Sequence, residues 1–414
     1  MVFLYNTFIF LYKTGIAIAG IWNTKAKQWL AGRKNIWRKL EDKVSKSDRI
    51  IWIHTSSAGE FEQAKPLIEA LKRIYPLYKI LVSFFSPSGF NSSKNYTAAD
   101  YIIYLPIDTS NNSNRFVKII DPQLVVFIKY DLWYHYLKTI NDQKIPLLLV
   151  SSVFRKEQAF FKWYGGFYRR MLAFFNMIFV QDQLSGHQLK TLAVNNWTVS
   201  GDTRFDRVTQ IAANFSEIPF IKEFIDNTKV LVAGSTWLED EKLISDGYSF
   251  HNGFKLIIAP HEVHRERINQ IKKRFGNATL YSQLKEGIVP DNNVLIIDNV
   301  GMLSKLYNYA TIAYVGGGFT RDGIHNILEA AVFSKPVLFG PNYKKYREAS
   351  ELIKQGGAFS VATASEFKKI IERLLIDEQS YKAACRASFD YINQNKGATQ
   401  KIIDYIQEKR LLTN

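Results

Sequence analysis

Apolar runs rich in β-branched residues recur along most of the chain, separated by loops and by stretches whose apolar residues fall at helical spacing. Ile50–Ile53 reads as a buried strand. A small-residue loop, His54-Thr-Ser-Ser-Ala-Gly-Glu60, follows it, and Phe61 to Ile74 is amphipathic. Further strands are predicted at 79–84, 101–105, 124–128, 146–151 and 177–180. A second series covers 229–234, 254–260, 293–297, 311–315 and 336–339, and between the series, over about 205–228, the pattern fades. Buried runs alternating with helices argue for parallel sheets covered on both faces. The expected architecture is α/β: two doubly wound parallel-sheet domains meeting across a cleft, with ligands at the carboxyl ends of the strands. Residues 49–210 would form the first domain and 211–414 the second, with Ser365 to Leu412 helical throughout.

The first residues follow a different pattern. Val2 to Trp22 is mostly apolar and, at 1.5 Å per residue, long enough to cross a bilayer core of about 30 Å. Asn6 and Lys13 interrupt it, and a mid-span lysine costs a few kcal/mol unless it snorkels or the helix lies in the interface. No small-residue cleavage site follows, so a secretory signal is not expected. Residues 1–49 hold ten Lys/Arg against Glu41, Asp42 and Asp48, a net +7 within a chain of net +16. Basic residues directly after an apolar segment place the remainder on the cytoplasmic side and draw it to anionic lipid. Residues 1–48 therefore read as a membrane-associated helix with a basic segment, in preference to an ordinary core helix. Nucleic acid ranks last as a partner, because no zinc finger, RNP-type aromatic motif or helix-turn-helix signature accompanies the charge. The single cysteine, Cys385, leaves no disulfide framework within the chain and no cysteine-built zinc cluster.

The most informative stretch runs from Tyr314 to Ala331: a strand, the triplet Gly316-Gly317-Gly318, then His325-Asn326-Ile327-Leu328-Glu329. Without Cβ atoms the triplet can bend sharply and lie close to a ligand. A helix opening near His325 would offer N–H groups to an anion, and Glu329, one turn on, could accept hydrogen bonds from sugar hydroxyls. A nucleotide-sugar site is favoured over a bare βα turn.

Other polar groups fall at predicted strand ends. Glu60 stands at the start of a helix, where the dipole favours its ionised form; service as a base would need partial desolvation to raise its pKa. Lys129 and Asp131 follow the 124–128 strand, and Arg204, in Gly201-Asp-Thr-Arg204-Phe-Asp206, could neutralise a phosphate. Gly234-Ser235-Thr236 could give amides and hydroxyls to a phosphate. Pro260-His261-Glu262-Val-His264 ends another strand, and Gly301-Met302-Leu303 opens a helix. His261, Glu262 and His264 lack ligand spacing, so no metal is expected.

Taken together, Ser56-Ser-Ala-Gly-Glu60, Ala64-Lys-Pro-Leu67, Asp131-Leu-Trp133, Gly201 to Asp206, Gly234-Ser-Thr236, Ala259-Pro-His261 and the block from Gly316 to Gly340 resemble the 3-deoxy-D-manno-octulosonic acid (Kdo) transferases, in family order over nearly the whole chain. The resemblance implies a GT-B fold of two Rossmann-like domains, CMP-Kdo as donor substrate with no further cofactor, and a lipid A precursor as acceptor at the cytoplasmic face of a bacterial inner membrane. It implies Glu60 as general base, with Asp131 and Arg204 stabilising the transition state. Pro260-His261, Gly301 to Leu303 and Asn326 to Glu329 would hold the CMP moiety, beside Gly234 to Thr236, Gly317 and His325. The family usually carries Glu-x-Glu-Leu-Trp-Pro-Asn; here Lys129 and Asp131 replace the two glutamates, and Tyr134 stands in place of the proline. His261 stands where arginine is common, and Arg204 where lysine is common. Competing readings are another GT-B transferase or an epimerase using a UDP-sugar, and a membrane-peripheral binding module without catalysis.

Overall fold

A computed structural model describes residues 1–247, 253–276, 278–286 and 292–413. The chain forms two compact units, Met1–Arg207 with Lys396–Asn414, and Val208–Asn395. Each is built on a seven-stranded sheet in which every strand pair is parallel.

The first sheet comprises β1 (Arg49–Thr55), β2 (Tyr78–Phe84), β3 (Tyr101–Tyr104), β4 (Pro122–Ile128), β5 (Leu147–Ser152), β6 (Met177–Val180) and β7 (Trp197–Val199), in the order β3-β2-β1-β4-β5-β6-β7. Strand order reverses between β1 and β4, so the loops after these two strands diverge and leave a crevice at their carboxyl ends. Alternation along β1 divides the interior: Ile50 and Trp52 enter one apolar cluster, Ile51 and Ile53 the other. The second cluster is closed by the helix Ala58–Ile74 through Phe61, Ala64, Leu67, Ile68 and Leu71. Ile402, Ile403 and Ile406 of the final helix, Ala398–Glu408, enter the same cluster. The segment 396–414, expected with the second domain, thus packs on the first, because its apolar stripe finds the outer face of that helix layer.

The second sheet comprises β8 (Lys229–Thr236), β9 (Phe254–Pro260), β10 (Thr279–Leu280), β11 (Val294–Ile296), β12 (Ile312–Val315), β13 (Val337–Phe339) and β14 (Ala358–Ser360). Its order is β10-β11-β9-β8-β12-β13-β14, with the reversal between β8 and β12. One expectation fails locally. No helix opens at His325: residues after Gly318 run through turns, and a helix of four residues begins only at Leu328. Asn326 Oδ1 accepts from Leu328 N at 3.2 Å, which satisfies an amide of that short turn internally.

The N-terminal helix, Val2–Ala19, is the one among the described residues that is long and apolar enough to cross a membrane. One face is committed to the first unit: Tyr5 Oη donates to Asp108 at 2.5 Å, Asn6 meets His135 at 2.6 Å, and Ile9 packs with Trp29 and Ile107. The opposite side presents Phe3, Leu4, Phe8, Leu11 and Ile18 to the exterior.

Candidate active site

In the first unit the loops after β1 and β4 bring two carboxylates together. Ser57 caps the helix Ala58–Ile74, which puts Glu60 in its first turn. The Glu60 carboxylate folds back to accept from Ser56 N at 2.6 Å. Burial pushes its carboxyl above the ordinary value, more than that amide, Lys129 and His54 lower it, and the charge of Asp131 adds to the rise. The partial desolvation that a base in this position requires is therefore present.

Asp131 Oδ2 accepts from His54 Nε2 at 2.9 Å, from Trp133 Nε1 at 2.9 Å and from the Ser56 hydroxyl. Burial works against its charge, yet these donors hold it below its ordinary value. Its side chain is 23% exposed, so the carboxylate is reachable. Ser56 spans the pair, with its amide on Glu60 and its hydroxyl on Asp131. Lys129, at a positive φ of 61°, supplies a cation whose field reaches Glu60. Arg204 is held elsewhere: its Nε and amide bind the buried Asp202 at 2.8 and 2.9 Å. Asp202 also accepts from Gln63 of the Glu60 helix at 3.1 Å.

The expected binding residues of the second unit gather at the ends of β8, β9 and β12. Gly316 N donates to Gly234 O at 2.8 Å, and a Cβ on Gly316 would fall 2.3 Å from Ser235 O, so these two turns touch backbone to backbone. Ser235 has a φ of 53°, and Gly317 a φ of 90°. Leu303 and Tyr307 lie against Gly234, at 2.3 and 2.2 Å from where its Cβ would stand, and this brings in the Gly301-Met302-Leu303 segment. His261, just after Pro260, stacks between Trp237 and His325, with ring centroids 4.7 and 4.6 Å away. Burial, reinforced by His261, pushes the His325 imidazole down to about 4 and keeps it neutral at physiological pH. Glu329 accepts from Asn326 Nδ2 at 3.2 Å, while Ile327 and Leu328 are fully buried.

Two expected anion contacts differ from the sequence reading. The helix Leu238–Gly247 that follows Thr236 is capped by its own Asp240, which accepts from Trp237 N and Gly317 N at 2.9 Å each. The Thr236 hydroxyl donates to Glu241 at 2.8 Å, and Glu241 pairs with Arg267. Two carboxylates thus occupy the place expected for a phosphate at that helix. Sequence reasoning also missed His54 and Trp237. From sequence His54 reads as the start of the polar loop, whereas it alternates with Trp52 on β1; Trp237 follows Thr236 directly, and an aromatic at a strand end is the available signal.

Comparison with known proteins gives this geometry a family. A family model for 3-Deoxy-D-manno-octulosonic-acid transferase (kdotransferase) matches residues 30–207. A 3-deoxy-D-manno-octulosonic acid transferase of Rickettsia conorii is 30% identical over 334 residues, 77% of this chain and 70% of that protein. A bifunctional glycosyltransferase/methyltransferase of Fusobacterium nucleatum is 26% identical over 382 residues, 89% of this chain but only 56% of that longer protein. Among solved structures, a UDP-GlcNAc 2-epimerase from Neisseria meningitidis superposes with a TM-score of 0.63 at 16% identity, covering 87% of this chain and all of that one, a likeness of fold. With its two parallel sheets of GT-B type, the chain belongs to the 3-deoxy-D-manno-octulosonic acid transferase family of glycosyltransferases.

Proposed function

We propose that the protein transfers Kdo from CMP-Kdo to a hydroxyl of a lipid A precursor, with inversion, in lipopolysaccharide core assembly. The observation that carries this reading is Glu60, a carboxylate raised by burial at the reversal point of the first sheet, bridged through Ser56 to Asp131. Glu60 takes the proton of the acceptor hydroxyl as that oxygen bonds to the anomeric carbon. The bond from that carbon to the phosphate oxygen breaks, and CMP leaves with the electron pair. General-base assistance of this kind is worth about 10²–10⁴-fold. Asp131 stays ionised and offers negative charge to the cationic character that develops at the sugar. The loops around Gly234, His261, Gly317 and His325 hold the cytidylate.

The N-terminal helix supports a place on the inner membrane's cytoplasmic face, where a lipid acceptor lies. Its polar residues Tyr5 and Asn6 are bonded to the protein, while its outward side is apolar and basic residues follow it. The test is transfer from CMP-Kdo to a tetra-acylated lipid A precursor in detergent. Wild type should transfer, and Glu60→Gln should bind CMP-Kdo normally while turnover falls about 10²–10⁴-fold. Near-normal turnover of that variant would remove Glu60 from its role.

A further inference from the structure

We propose that His54 is a positioning residue for the reacting carboxylates: clamped from behind by Ser83 and Trp52, it fixes the orientation of Asp131 and, through Ser56, of the loop that carries Glu60. This rests on the reading of Glu60 and Asp131 given above.

The arrangement follows from strand register. In the parallel pairing of β1 with β2, His54 stands opposite Ser83; in the pairing with β4 it stands opposite Phe127. Trp52 precedes His54 by two residues and so projects to the same face. Trp52 Nε1 donates to Ser83 Oγ at 2.7 Å, and Ser83 Oγ meets His54 Nδ1 at 2.8 Å. The far nitrogen, Nε2, then reaches Asp131 at 2.9 Å. The imidazole lies on the Phe127 ring at a centroid distance of 4.9 Å, and Trp52, His54 and Ser83 are all sealed from solvent. A fully buried imidazole near the carboxyl end of a strand is costly unless both nitrogens are satisfied. Here one nitrogen is spent on a rigid anchor and the other on a largely buried carboxylate, so rotation of Asp131 requires breaking a buried network. The charged groups facing this cluster are Asp131, Glu60 and Lys129, with Asp108 near enough to feel the charge of Asp131.

Side-chain length separates the possible roles. Glutamine can place an N–H near the position of Nε2, whereas asparagine reaches Ser83 but falls short of Asp131. In the full-length enzyme, His54→Asn should lower kcat by about 10²-fold, the cost of misplacing a reacting group by about 1 Å, and leave KM for CMP-Kdo unchanged. Because His54 lowers the Glu60 pKa, its loss should move the acid limb of the kcat profile to higher pH. His54→Gln, which keeps an N–H for Asp131 but carries no charge, should restore most of kcat without returning the limb. Should the asparagine variant fail to fold, Ser83→Ala removes the anchor alone and should lower kcat in the same direction. The proposal is overturned if His54→Asn keeps wild-type kcat and acid limb, or if Ser83→Ala in its place keeps wild-type kcat. It is equally overturned if the glutamine and asparagine variants lose activity alike in step with their melting temperatures. A dead Glu60→Gln with an unaffected His54→Asn would sink this inference alone; an active Glu60→Gln would sink the reading beneath it.

Discussion

Gly316 and Gly318 show how a missing side chain can specify a site. A Cβ on Gly318 would lie 2.5 Å from Gly340 N and Cα, and one on Gly316 would strike the backbone of Ser235. Neither neighbour is a flexible side chain that can move aside, so alanine must push strands apart. Gly318→Ala should destabilise the protein by about 1–3 kcal/mol, as overpacking does elsewhere, and should weaken CMP binding; thermal melting with and without CMP checks both. An unchanged melting temperature would mean that the turns do not hold one another. The glycines were legible because absence of a Cβ is itself the information. His54 was not, since a histidine between Ile53 and Thr55 looks like the start of a polar loop until the register of β1 against β2 is known. Glu60 lay between these cases: its helix N-terminus could be read from Ser57 and the amphipathic run beyond, but the burial that raises its pKa belongs to tertiary packing.

Among the elements, the strands inside the two sheets were readable and three at their edges were not. β7, β10 and β14 have three, two and three residues and lie toward the sheet edges, where so brief a run carries no periodicity. Ser365 to Leu412 reads as helical, without telling what its last helix, Ala398–Glu408, packs against. The answer, the first unit, makes a prediction. Asp206 accepts from Gly397 N at 2.6 Å and from the Thr399 amide and hydroxyl at 2.7 Å each, which fastens the start of this helix. Ile402, Ile403, Ile406 and Leu412 then fill the cluster with the Ala58–Ile74 helix. At about 1.5–3 kcal/mol for each of these four buried side chains, their loss removes about 6–12 kcal/mol, comparable with the whole stability of a domain. Deletion of 396–414 should therefore abolish the cooperative melting of the first unit, followed by tryptophan fluorescence of Trp52; a melt like that of the intact chain would show the helix to be dispensable.

Across the whole molecule the same winding occurs twice, with a reversal between β1 and β4 and again between β8 and β12. Of the polar loops named from sequence, those of Glu60, Asp131, Gly234 to Thr236 and Gly316 to Gly318 fall at those reversals, where neighbouring loops of a doubly wound sheet part. A nucleotide read by the second unit alone should leave a local signature. Hydrogen exchange on the intact chain should show CMP slowing the loops after β8, β9 and β12. CMP at 100 times its Kd should add about 2.7 kcal/mol to the stability of that unit, and UDP at the same concentration should add little. Equal protection by UDP would favour a UDP-sugar enzyme of the same fold.

The return of the final helix to the first unit has a consequence for biosynthesis. The amino-terminal half cannot complete its interior until all of Val208–Asn395 has been translated and the last residues have cleared the ribosome. At about 5–20 residues per second that interval lasts about 10–40 s. Throughout it, the apolar residues of the Ala58–Ile74 helix that Ile402 and Ile406 will cover stay uncovered on the nascent chain.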